Sequence, residues 1–181
     1  MSLESNKTLG GVGAILVVIG FLGFFGTGYA GLLTLVGIIL TLVALKGLSD
    51  YYNEGGIFNN ALYGFIIAII GVVVFIAAIL MTALAVLSEL GINIRNWTDL
   101  MTVQHNWQRL LDLSNLWTFI GAIILSFVAL FVFVIIASIF FRKSLSVLSA
   151  KSGERIFETA GLLWLIGAVL TIILVGFILI W

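Results

Sequence analysis

Residues 61–87 pass twenty-seven positions without a charged side chain, and this run limits the choice of fold more than any other feature. A helix apolar on every side belongs in a very large core or across a membrane. A chain of 181 residues cannot supply such a core, whereas about 20 apolar residues suffice to cross hydrocarbon. Stepping through the run by fours and threes gives Gly64, Ala68, Gly71, Phe75, Ala78, Thr82 and Ala85. All but Phe75 are small. Lipid tails are as apolar as leucine, so membrane helices associate through close backbone approach, which small residues permit. The run therefore predicts a central span with a helix-packing seam of Gly64, Ala68, Gly71, Ala78, Thr82 and Ala85. It should be the most buried span, with its seam in contact with at least two neighbouring helices.

The rest of the chain is read against that span. Charged residues are 9% of the total and hydrophobic ones 62%, where soluble domains carry about 25% charge. Residues 8–45 are also uncharged, too long for one crossing, and are divided at Thr27-Gly28-Tyr29-Ala30-Gly31, where two glycines permit a turn. Gly13, Gly20 and Gly23 make the first half a close-packing helix too. Gly28-Tyr29-Ala30 has the small-x-small look of a signal-peptide cleavage site. The weakly basic leader and an apolar run of about eighteen residues argue instead for a mature span. With residues 116–141 and 160–181, the expectation is an all-α, polytopic helical membrane bundle of five spans: 9–26, 31–45, 61–87, 116–141 and 160–181. It forms one integral membrane domain over 1–181. The second span should continue as helix beyond Lys46 until Gly55-Gly56 stop it, and the fourth should project to Gly153. Proline is absent, so helix breaks fall to glycines and polar turns.

Residues 88–115 form the longest polar connection. On a helical wheel Trp97, Leu100, Met101, Val103, Trp107, Leu110 and Leu111 share one half, and Thr98, Thr102, His105, Asn106, Arg109 and Asp112 the other. With Asn96 as N-cap, this predicts an amphipathic interfacial helix over 97–112. Lysine and arginine counts set the orientation. An inner N-terminus puts Lys7, Lys46, Arg142, Lys143, Lys151 and Arg155 inside and only Arg95 and Arg109 outside. The chain is thus expected in the cell membrane, multi-pass, with a cytoplasmic N-terminus and the 88–115 loop extracellular. Tyr29, Trp97, Trp107, Trp117 and Trp181 would form an outer aromatic belt, and Tyr51, Tyr52, Tyr63 and Trp164 an inner one. Asn96-Trp97-Thr98 has the form of an N-glycosylation acceptor on the outer side, which would make the chain a glycoprotein. Asn6-Lys7-Thr8 has the same form but lies inside.

Several strings occur together in one group of proteins: Met1-Ser2-Leu3-Glu4-Ser5-Asn6-Lys7-Thr8-Leu9-Gly10-Gly11, Ala44-Leu45-Lys46-Gly47-Leu48 with Asp50-Tyr51-Tyr52, and Ile57-Phe58-Asn59-Asn60-Ala61-Leu62-Tyr63-Gly64. Phe140-Phe141-Arg142-Lys143-Ser144 and Thr159-Ala160-Gly161-Leu162-Leu163 belong with them. With these the chain resembles an archaeal family of small multi-pass membrane proteins known as a domain of unknown function. The resemblance covers the spans and inner loops and is weakest over 88–115. It implies archaeal origin and carries no activity with it. Family members continue past Trp181 into a further apolar stretch, which implies six spans in a longer form.

Chemistry-bearing residues are scarce. Intramembrane ionisable groups mark proton relays and ion paths, and the five spans have none. Thr34, Thr41, Thr82, Ser126, Ser138 and Thr171 are the polar side chains well inside, suited to bonding the preceding helical turn or to a hydrogen bond between helices. Gly20-x-x-Gly23-x-x-Gly26 lacks the strand, turn and lysine of a phosphate loop. His105 is the sole histidine, and its loop carboxylates Glu89, Asp99 and Asp112 do not converge with it as metal ligands must. No catalytic residue, cofactor or metal is therefore expected. With no cysteine there is no thiol chemistry, and a net charge of zero gives no reason to expect nucleic acid. The expected function is non-catalytic: a structural or accessory subunit of an archaeal membrane complex, or a homo-oligomer. Its partners would be the lipid bilayer and other membrane subunits or a second copy. The alternative is a channel or carrier for a small neutral or apolar solute.

Overall fold

The computed structural model describes residues 3–23, 30–89 and 113–180, and these are helical almost throughout. Five helices follow in order: α1 (Leu3–Gly23), α2 (Ala30–Tyr51), α3 (Gly55–Glu89), α4 (Leu113–Ser152) and α5 (Arg155–Ile180). Gly31–Tyr51, Gly55–Ser88 and Trp117–Ser152 are long and apolar enough to cross a membrane. At about 1.5 Å per residue the 35 residues of α3 and the 40 of α4 outreach a hydrocarbon core of ~30 Å. The amphipathic helix expected at 97–112, Asn96 and His105 lie outside the described residues.

The helices overrun the sequence-based spans at their charged ends, because a charge does not interrupt backbone hydrogen bonding. Past Lys46, α2 gains an i,i+4 pair in which Lys46 donates to Asp50 at 2.7 Å. Its stop is Asn53 rather than the glycine pair, since Asn53 takes a left-handed φ of 50°. The backbone N–H of Glu54 then donates to the Ser49 carbonyl at 2.9 Å, closing the helix end. Gly55 and Gly56 instead form the first turn of α3. At the end of α4, Gly153 with φ 76° serves as the left-handed stop.

The chain divides into two compact units, Met1–Ile66 with Ile135–Trp181, and Ile67–Val134. In the first, Leu45, Leu48, Ile57, Ala61 and Leu148 form a buried cluster. Leu3, Leu42, Tyr52, Phe141, Leu145, Val147 and Phe157 pack against it. In the second, Phe75 meets Phe127 with ring centroids 5.0 Å apart, and Gly71 lies against Phe133. Elsewhere large apolar side chains face outward, among them Met81 at 73% and Leu125 at 69% exposure. In water such surface would be costly. In lipid it is the ordinary exterior.

Candidate functional site

The residues with a plausible role lie on helix faces and in two turns. On α3, a Cβ at buried Gly64 would sit 3.0 Å from the Ala137 carbonyl oxygen and 3.2 Å from the Phe141 ring. A Cβ at buried Gly71 would sit 2.5 Å from Phe133 Cβ. Ala68, Ala78 and Thr82 are half-buried, and Thr82 donates its hydroxyl to the Ala78 carbonyl at 2.9 Å. Ala85 is exposed. Gly64 and Gly71 both face α4, so among the described residues the close glycine contacts of this face reach one neighbour rather than two.

The tightest approach belongs to α1 and α2. A Cβ at Gly13 would lie 2.8 Å from the Gly37 carbonyl oxygen and 2.6 Å from Thr41 Oγ1. A Cβ at Gly37 would lie 2.7 Å from both the Gly13 oxygen and the Val17 nitrogen. All but the Thr41 Oγ1 contact are with backbone atoms, which cannot yield to a larger residue without the helices separating. Accordingly, 22% of the most apolar window of α2 is buried, against 11% for α3, which corrects the expectation that the third span is the most buried. The glycines of α1 are visible in the sequence. Their meeting with Gly37 is not, because sequence spacing shows a seam without naming what lies across it.

Asn6, also unforeseen, is 1% exposed. Its amide lies flat against Gly47, and neither of its polar atoms has a hydrogen-bond partner. Being buried, its side chain is closed to glycosylation. Hydroxyls within the apolar helices bond to their own helices: Thr41 to the Gly37 carbonyl, Ser126 to that of Ala122 and Thr171 to that of Gly167, all at 2.8–2.9 Å. At these three residues the structure takes the first of the two alternatives read from the sequence, bonding within the helix and not between helices.

The turns carry the polar geometry. Buried Ser49 donates its hydroxyl to the Glu54 carbonyl at 2.9 Å, and buried Ser149 donates to the Glu154 carbonyl at 3.0 Å. Lys151 reaches the Glu54 carboxylate at 3.0 Å. The Lys151 hydrogen bond, then its charge, holds the Glu54 carboxyl below its ordinary range. Ser144 donates to the Ile57 carbonyl at 2.5 Å, tying α4 to the start of α3. The surface also has two shallow grooves. One of about 380 Å³ is lined by Val43, Lys46, Asp50 and Tyr51 beside Asn6 and Gly47. The other, of about 230 Å³, is lined by Ile139, Arg142, Lys143, Ser146 and Leu165. Among the described residues no three of His, Cys, Asp and Glu come together as metal ligands.

A protein of Methanocaldococcus jannaschii described as uncharacterized is 29% identical to this chain over 180 residues, covering 99% of this chain and 86% of that protein. No solved structure matches. The family described as a protein of unknown function, DUF996, matches residues 33–181, which include the glycine contacts of α3 and both turns. The chain belongs to the DUF996 family.

Proposed function

We propose that the chain is a non-catalytic integral membrane protein of five spans, serving as a structural or accessory subunit of a membrane complex or as a homo-oligomer. Its N-terminus is cytoplasmic and residues 88–115 are extracellular. The observation that supports this reading most is the disposal of polar groups inside the apolar helices. Thr41, Thr82, Ser126 and Thr171 each donate to a carbonyl of their own helix, which leaves those hydroxyl protons engaged rather than offered to a passing solute. The seam of Gly64, Ala68, Gly71, Ala78, Thr82 and Ala85 is a packing face in this reading. Ala85, exposed within the chain, marks where it would meet a further helix.

Purification from native membranes in mild detergent tests the proposal. A discrete particle heavier than one chain, with a reproducible partner or a second copy, is the expected result. A monodisperse single chain that makes liposomes permeable to glycerol would replace it with the carrier alternative.

A further inference from the structure

The contacts of α1 on α2 are repeated by α3 on α4. Gly13 lies against Gly37 and Thr41, and Gly64 lies against Ala137 and Phe141. The first members differ by fifty-one positions and the second by one hundred in both cases. The same offsets equate Gly10 on Ala44 with Ala61 near Ser144, whose hydroxyl reaches the Ile57 carbonyl one turn earlier. They also equate Asn6 with Ile57, and Gly20 with Gly71, all four buried.

The turn that follows each pair is repeated as well. Leu48, Ser49, Asn53 and Glu54 correspond to Leu148, Ser149, Gly153 and Glu154. Both serines are buried and bond the glutamate carbonyl, and Asn53 and Gly153 both take left-handed φ. The N–H of Ile57 donates to the Glu54 carbonyl at 3.2 Å, and that of Phe157 to the Glu154 carbonyl at 3.4 Å. Glycine seams alone recur in unrelated membrane helices. One register shared by the seam, its partner face and the following turn is a much narrower coincidence.

We infer that α1–α2 and α3–α4 are two copies of one docked helix pair, arisen by tandem duplication. The copies run in the same direction, so both turns lie at one membrane face. Helix α5 repeats the start of α3 but carries Trp164 and Thr171, both exposed, in place of Gly64 and Gly71. Of that face α5 keeps a buried small residue, Gly161, where a Cβ would lie 3.2 Å from Arg142 Cα.

Disulfide trapping in this cysteine-free chain tests the register. Gly10→Cys with Ala44→Cys should cross-link in membranes under mild oxidant, since a Cβ at Gly10 would lie 3.4 Å from Ala44 Cβ. The inference requires Ala61→Cys with Ser144→Cys to do so comparably. Position 10 with 40, and 61 with 140, should stay uncross-linked. Cross-linking of 10 with 44 but not of 61 with 144, or equal cross-linking of the off-register pairs, would overturn it. Failure of both matched pairs would also overturn it.

The copies differ in charge at several positions, and one of these stands beside a groove. Leu42 and Val43 of the first copy correspond to Arg142 and Lys143 of the second, which stand where the uncharged run 116–141 ends. Lys46 pairs with Asp50 and Lys151 with Glu54. Arg142 and Lys143 have no such carboxylate among the described residues. With Ser146 they line one side of a groove whose other walls are Ile139 and Leu165. Cations with a hydroxyl beside an apolar floor, at the depth where headgroups meet acyl chains, suit a lipid phosphate. We propose that this groove holds the headgroup phosphate of an anionic lipid.

Thermal unfolding in a neutral detergent reads this out, because a ligand that binds only the folded state raises the midpoint. Phosphatidylglycerol should raise it by several degrees and phosphatidylcholine should not. The double variant R142Q/K143Q should lose most of the rise, and K46Q should keep it. An undiminished rise in R142Q/K143Q, an equal loss in K46Q, or the same rise from inorganic phosphate alone would overturn the lipid assignment.

Discussion

Glycines in this chain divide sharply by what surrounds them, and the division predicts opposite effects of one methyl group. At Gly37 a Cβ would meet backbone atoms at 2.7 Å, so neither helix can yield without separating. Overpacking of this kind costs about 1–3 kcal/mol, and Gly37→Ala should lower the thermal midpoint clearly. At Gly121 and Gly167 a Cβ would meet nothing within 4 Å. There alanine only improves helix propensity, by about 0.5–1 kcal/mol, and should be neutral or stabilising in the same measurement. The Glu54–Lys151 pair gives a second test at this scale. Because the Glu54 carboxyl is held below its ordinary range, the pair contributes while the carboxylate stays charged. That contribution is complete above about pH 4.3, the unfolded value, and is lost as pH falls through the folded one. Lys151→Gln should flatten that acid limb and change little near neutrality, as expected for a pair that is partly exposed.

Among the elements, the two turns make the sharpest prediction. Gly153 has φ 76°, and a residue with a Cβ pays about 1–2 kcal/mol there. Gly153→Ala should therefore destabilise, whereas Asn53→Gly should be tolerated or slightly favourable in a denaturation series. Ser49→Ala and Ser149→Ala each remove a hydroxyl bonded to a turn carbonyl, and should each cost about 1 kcal/mol. The helices themselves were legible, because uncharged runs of span length have few other uses. The run of α2 past Lys46 and of α4 to Gly153 was legible too, but the residue that stops α2 was not: Asn53, with a left-handed φ, ends it in place of the Gly55-Gly56 pair. Contacts between helices were the least legible. The small residues of α1 and α3 announce faces, but nothing in their spacing selects Gly37 or Ala137 as the residue opposite. The burial of Asn6 is not legible because a polar residue in a polar N-terminal stretch gives no sign of it, although its position one heptad before Gly13 is a usable clue.

At the scale of the molecule, three helices among the described residues are long and apolar enough to cross a membrane, and the proposed five-span arrangement has its turns 52–54 and 153–154 at one membrane face. The proposed extracellular placement of 88–115 carries a prediction of its own. Asn96 should bear a glycan in native material, detectable by mass spectrometry of that peptide and removed by Thr98→Ala. Single cysteines placed at Tyr51, Ser152 and Ser114 test the central claim most directly, since the chain has no other thiol. Tyr51 and Ser152 stand at equivalent ends of α2 and α4, and Ser114 at the opposite end of α4. A membrane-impermeant thiol reagent applied to intact cells should label position 114 and spare 51 and 152 until the membrane is opened. Labelling of 51 and 152 with 114 spared would reverse the orientation, and labelling of only one of 51 and 152 would contradict the repeated, membrane-spanning helix pair itself.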